Sequence, residues 1–165
     1  MKKVAYWVNH LDLLPHPEGG FYKEMYRSKL SVSADLMEEG LGGVRSLATG
    51  IYFLITEGNF SAFHRIKSDE MWHFYYGEPL IVHVIELDGT YTKLSIGLDL
   101  EKDQTPQAVV PAGAWFASES FGEYSLVGCT VSPGFDFNDF ELAKKHELIQ
   151  EFPQHKDLIE KLCRE

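Results

Sequence analysis

Apolar side chains recur at helical spacing near the start of the chain. Val4, Trp7, Val8 and Leu11 fall at i, i+3, i+4 and i+7 and predict a short amphipathic helix that Pro15 and Pro17 stop. From Gly20 onward the period changes. Short runs of aromatic and β-branched residues are separated by Gly, Pro, Asp and Asn at intervals of roughly 8 to 12 residues, the pattern of an all-β sandwich or barrel. About nine strands are expected, over 21–27, 46–56, 60–67, 70–76, 80–87, 91–96, 107–110, 114–118 and 124–132. Asp88-Gly89 predicts a type I′ hairpin, which needs positive φ at both central positions. The stretch 31–43, with Gly40, Gly42 and Gly43, reads as an inserted loop or short helix. After Pro133-Gly134 the helical period returns. Asn138 three residues before Glu141 predicts a capping box, Leu142, Leu148 and Ile149 are apolar positions, and Pro153 is a stop. A last short helix is expected over 155–163, turning Leu158, Ile159 and Leu162 inward.

Length and composition narrow the choice. The 165 residues, 44% hydrophobic and 13% aromatic, suit one domain over 1–165 with a sizeable core. With 25 acidic against 15 basic side chains the net charge is -10, which repels a polyanion and argues against nucleic acid as a partner. No apolar run approaches the roughly 18 residues that would span a bilayer, and Asn9-His10 interrupts the opening segment before a signal-peptide core forms. The expectation is a cytoplasmic protein with no membrane partner. Cys129 and Cys163 give neither a disulfide framework nor a zinc spacing, so both are read as reduced thiols, and no adjacent His activates Cys129.

The chemistry concentrates in GNFSAFHRIKSDEMWHFYYG, residues 58–77, which carries His64, Glu70, His73 and a run of aromatics. In a strand Glu70, Trp72, Phe74 and Tyr76 share one face while Met71, His73 and Tyr75 share the other. Glu70 and His73 then meet only across a bulge. A glutamate among aromatics is costly to bury alone, so Glu70 implies a site or a salt bridge to Arg65 or Arg27. His83 alternates with Ile81, Ile85 and Leu87 and reads as a satisfied interior histidine. His-Pro-Glu-Gly-Gly, residues 16–20, joins a rigid turn to glycines that permit close backbone approach, which suits a barrel lip, but His16 and Glu18 are read as ordinary polar groups of the turn. Arg65 and Lys67 suit either an anionic ligand group or a solvated face.

The same stretch resembles the first cupin motif, Gly-x5-His-x-His-x3-Glu-x6-Gly, at Gly58, His64, Glu70 and Gly77, with Ile66 in place of the second histidine. QAVVPAGAWF resembles the second motif at Pro111 and Gly113, but Thr105, Phe116 and Ser120 stand at its glycine, histidine and asparagine positions. LLPHPEGGFYKEMYRS, FHRIKSDEMWHFYYG and LVGCTVSPGFDFNDFELA are similar to signatures of cupin family 5, a domain of unknown function. The resemblance implies a cupin jelly-roll β-barrel with short N-terminal and C-terminal helices, of the sugar-nucleotide 3,5-epimerase type, usually a homodimer. Of the cupin metal ligands it carries over only His64 and Glu70, too few for a catalytic zinc or iron site, which generally needs three. The leading expectation is therefore a metal-free, cofactor-free small-molecule site with His64 and Glu70 as its catalytic pair. Its aromatic walls are read as Tyr22, Tyr52, Phe63, Trp72, Phe74, Tyr76 and Phe116. An isomerase or epimerase acting on a carbohydrate-like ring fits that set, with Tyr22, Tyr52, Tyr76 or Tyr124 as the opposing acid. The alternatives are a divalent-metal oxygenase or isomerase using His64, Glu70 and His73, and a non-catalytic ligand-binding protein.

Overall fold

The computed structural model describes residues 2–33 and 43–164. Helix α1 (Val4–Leu11) leads into β1 (Leu14–Pro15), β2 (Phe21–Arg27), β3 (Ser31–Val32), β4 (Arg45–Ser46), β5 (Thr49–Thr56), β6 (Phe60–Arg65) and β7 (Asp69–Gly77). Then come β8 (Leu80–Ile85), β9 (Tyr91–Ile96), β10 (Gln107–Val110), β11 (Trp115–Ser120), β12 (Tyr124–Ser132), β13 (Glu141–Leu142), α2 (Lys145–Glu151) and α3 (Lys156–Leu162). Most of the expected insert, 34–42, lies outside the described residues.

The strands pair into a six-stranded sheet, β1-β2-β5-β12-β7-β10, and a five-stranded sheet, β13-β6-β11-β8-β9, which face each other as a jelly roll. Alternation within each strand sends one set of side chains into the space between them. Phe53, Ile55, Trp72 and Val127 of the first sheet meet Val82, Val84 and Phe116 of the second, and full burial of the larger ones contributes roughly 2–3 kcal/mol each. Both outer faces are also covered in part. Helices α2 and α3 lay Leu148, Ile159 and Leu162 on Phe63, Ile85 and Trp115. Helix α1 covers Leu54, Tyr124 and Leu126, which is why Trp7 and Leu11 needed helical spacing. No helix among the described residues is long and apolar enough to cross a membrane.

Two local expectations fail. Only Gly89 of the Asp88-Gly89 pair has positive φ, because the hairpin closes through a type I turn and a glycine bulge. The Gly89 N–H donates to Glu86 O and the Glu86 N–H to Thr90 O, both at 2.9 Å. There is no capping box at Asn138 either. Asn138 lies in a 3-10 turn, Phe137–Asp139, where its N–H donates to Asp136 Oδ1 at 2.8 Å, and Glu141 is drawn into β13 by pairing with β6.

Candidate functional site

A cavity of about 370 Å³ opens at one end of the barrel, with His64 and Ile66 on one wall and Tyr22, Ile51, Glu70 and Cys129 on the other. A register shift in β6 shapes its polar end. His64 pairs with Phe116 but Ser61 pairs with Ser118, so β6 holds one residue more than β11 between those points. That extra residue puts Ser61 and His64 on the same inner side, where strict alternation would separate them.

The loop between β1 and β2 supplies what the strands lack. Gly19 and Gly20 have φ of 116° and 74°, and a side chain at Gly19 would collide with the Phe60 carbonyl. These glycines let the loop press onto β6, with the Ala62 N–H donating to Glu18 O at 2.8 Å and the Arg164 Nε–H donating to the same oxygen at 3.2 Å. The Glu18 side chain is thereby buried in the barrel. Its Oε2 lies 3.0 Å from His64 Nε2, and Ser61 Oγ donates to Oε1 at 2.9 Å.

The proton positions follow from the partners. His64 Nδ1 is 2.7 Å from the Ala62 carbonyl, which cannot donate, so Nδ1 carries the hydrogen. Nε2 and Glu18 Oε2 then share one proton. Burial lowers His64 to about 3, while burial and the neighbouring Glu70 charge raise Glu18 well above the carboxylate range. The proton therefore rests on Glu18, which donates to a neutral imidazole. His16 is also neutral. The Glu18 N–H donates to its Nδ1 at 3.3 Å, and burial lowers the ring to about 4. Burial raises Glu70 to about 7, against a weaker opposing pull from the Cys129 thiol. At the mouth Arg27 clamps Glu24 through Nε and Nη2 at 2.9 and 2.8 Å, and Phe135, Asp136 and Phe137 form the rim.

The sequence expectations meet this geometry unevenly. His64 and Glu70 both line the cavity, but the carboxyl against His64 belongs to Glu18, read from sequence as a turn residue. Glu70 is bridged to neither Arg65, which binds Glu141, nor Arg27, which binds Glu24. Of the proposed aromatic walls Tyr22 alone lines the cavity. Phe63 faces α2 and α3, Trp72, Phe74 and Phe116 are packed into the barrel core, and Tyr52 packs towards α1. Tyr76 leaves the face of Glu70 because β7 is bulged: Val127 pairs with Phe74 and Leu126 with Tyr76, skipping Tyr75. It rests instead on Trp7 and Tyr124. His73 stays on the outer face, bonded to Thr130 Oγ1 at 2.9 Å and Gln107 Nε2 at 3.0 Å, and cannot join His64 and Glu70. The missed residues are His16, Glu18, Phe135 and Phe137; the paired glycines after Glu18 were the available signal.

Metal donors do not converge. Among the described residues no three His, Cys, Asp or Glu side chains form a group that could hold an ion. Both His64 nitrogens are already engaged, and Ile66 and Phe116 offer no donor atom.

Comparison with known proteins bears on the whole chain. The profile of the Cupin superfamily (DUF985) matches residues 5–143. An uncharacterized protein of Saccharomyces cerevisiae is 30% identical over 154 residues, covering 87% of this chain and 76% of the relative. A hypothetical protein from Leishmania major is 38% identical with a TM-score of 0.92, over 99% of this chain and 100% of that one. A Shewanella oneidensis protein is 41% identical with a TM-score of 0.89, over 99% of both chains. Oxalate decarboxylase of Bacillus subtilis, described with Mn(II) centres, shares the fold at 16% identity and a TM-score of 0.55, over 92% of this chain and 38% of its own.

Proposed function

The chain belongs to the cupin superfamily family DUF985, and from that premise we propose that it binds a small, polar, ring-shaped metabolite in its barrel and moves a proton on it, as an isomerase or epimerase does. The observation that carries this reading is the Glu18–His64 pair, 3.0 Å apart at the closed end of the cavity and sharing one proton. Glu18 can yield that proton to a bound ring and remain as a carboxylate. Alternatively it passes the proton to Nε2 while taking another from the ligand. His64 acts through Glu18, with its tautomer fixed by the Ala62 carbonyl. Of the tyrosines considered as the opposing acid, Tyr22 lines the cavity. The Mn(II) chemistry of oxalate decarboxylase is not carried over, because the donor set here does not fit it.

Solvent exchange tests the reading. Ring carbohydrates and other polar rings incubated with the protein in D2O should gain deuterium at a carbon position, read by NMR. Glu18→Gln should slow that exchange by roughly 100-fold or more while leaving binding in place. Ligands that bind without exchange would assign the cavity to a non-catalytic binding protein.

A further inference from the structure

We propose that the cavity recognises a ligand bearing a protonated nitrogen, seated on the Glu70 carboxylate with the ligand's ring against Tyr22, Phe135 and Phe137. The proposal rests on the cavity being the ligand site and specifies what that site selects.

Glu18, Glu24, Glu70 and Asp136 line the cavity against one cationic side chain among the described residues, Arg27. Arg27 is committed to Glu24 through two hydrogen bonds, and its Nη2 donates to Phe135 O at 3.1 Å. Among the described lining residues an anionic ligand would find no cation other than the committed Arg27. Three of the four carboxyls are also engaged: Glu24 with Arg27, Glu18 with His64 and Ser61, and Asp136 with the Asn138 N–H. Glu70 is engaged only by the Cys129 thiol, a weak donor. It is only 8% exposed, it lines the cavity, and among the described residues no cation and no nitrogen or oxygen donor reaches its carboxyl. Its neighbours offer no positive charge: the Cys129 thiol and the Glu18 carboxyl lie beside it, and His16 and His64 are neutral.

A carboxylate buried with only a thiol against it is costly, and an arriving ammonium or protonated ring nitrogen removes that cost. The rim suits the rest of such a ligand. Phe135 and Phe137 lie edge to face at 4.9 Å, and His16 and Tyr22 at 4.6 Å, so aromatic surface flanks the carboxylate and favours a cation over it. The net charge of -10 adds a long-range pull on small cations.

Three probes with one body and different charge make the test: benzylammonium, benzyl alcohol and benzoate, titrated calorimetrically into the intact protein. Benzylammonium should bind about tenfold or more tightly than benzyl alcohol, and benzoate should not bind. Glu70→Gln should collapse the ammonium-to-alcohol ratio while sparing the alcohol. With the unmodified protein, benzylammonium affinity should fall roughly tenfold from about pH 8 to about pH 6 as Glu70 takes up its proton. Equal binding of ammonium and alcohol, tighter benzoate binding, or an unchanged ratio in Glu70→Gln overturns the assignment to a cation but leaves a neutral-ligand cavity standing. No binding of any probe overturns both.

Discussion

His64 and His83 are both nearly buried, each against a glutamate, and they teach opposite lessons. His83, beneath α3 on the outer face of the five-stranded sheet, has Nδ1 2.8 Å from the Tyr91 hydroxyl and Nε2 3.1 Å from Glu119 Oε1. Lys161 of α3 holds both oxygens of Glu119 at 2.7 Å. Partial burial pushes the Glu119 carboxyl up, but Lys161 and His83 outweigh it and hold it below its usual range. That cluster is charge-balanced and ties a helix to a sheet. Around His64 the carboxyls of Glu18 and Glu70 have no cation, and burial drives them towards the protonated state. A histidine–carboxyl contact alone therefore says little about function; the presence or absence of a cation behind the carboxyl separates the two.

Replacing each acid by its amide should move stability in opposite directions. Among the amide replacements the largest effect is expected at Glu70, whose folded value of about 7 lies above its ordinary 4.5. The native state then binds the extra proton, so stability falls as pH rises through that interval, and the cost levels off above it at roughly 3 kcal/mol. Glu70→Gln should thus be more stable than the parent by about 2–3 kcal/mol near pH 8, with the gap closing towards about pH 5, as read from urea denaturation at several pH values. A variant less stable at every pH would mean that the carboxylate has a stabilising partner and would erase the contrast.

Next comes Glu18. Glu18→Ala leaves His64 Nε2 and Ser61 Oγ without their partner and should cost about 2–4 kcal/mol in chemical denaturation, whereas Glu18→Gln can serve both atoms and should stay within about 1 kcal/mol. If Gln costs as much as Ala, the pair is an imidazolium–carboxylate bridge instead of a neutral hydrogen bond. The smallest change belongs to Glu119→Gln, which should lose about 1 kcal/mol or less, because Lys161 is solvent-exposed. Its sign reverses that of Glu70: the loss is present above the usual carboxylate range and vanishes as pH falls below it, again in denaturation midpoints.

Alternation and turn residues made much of the barrel legible. The expected limits 21–27, 91–96, 107–110 and 124–132 coincide with β2, β9, β10 and β12. Those strands are short runs rich in aromatic and β-branched residues, bounded by turn residues. The site was less legible because bulges reassign faces without leaving a mark in hydropathy. One extra residue in β6 turns Ser61 towards His64, and one at Tyr75 carries Tyr76 out of the barrel. Glu18 stayed hidden for another reason: a loop glutamate looks solvated until a fold closes over it, and its burial depends on contacts distant in sequence.

Arg164 supplies one of those distant contacts. Its guanidinium donates to Glu18 O, Asn59 Oδ1 and Phe60 O, and the first of these joins positions 146 residues apart. During synthesis Glu18 leaves the ribosome early, while Arg164 is made after every strand of both sheets. The brace that holds the Glu18 loop on β6 therefore cannot form until both sheets have been synthesised. The nascent protein can pair its strands before the polar end of its cavity is fully secured, and the two events are separated by the time needed to translate the C-terminal helices.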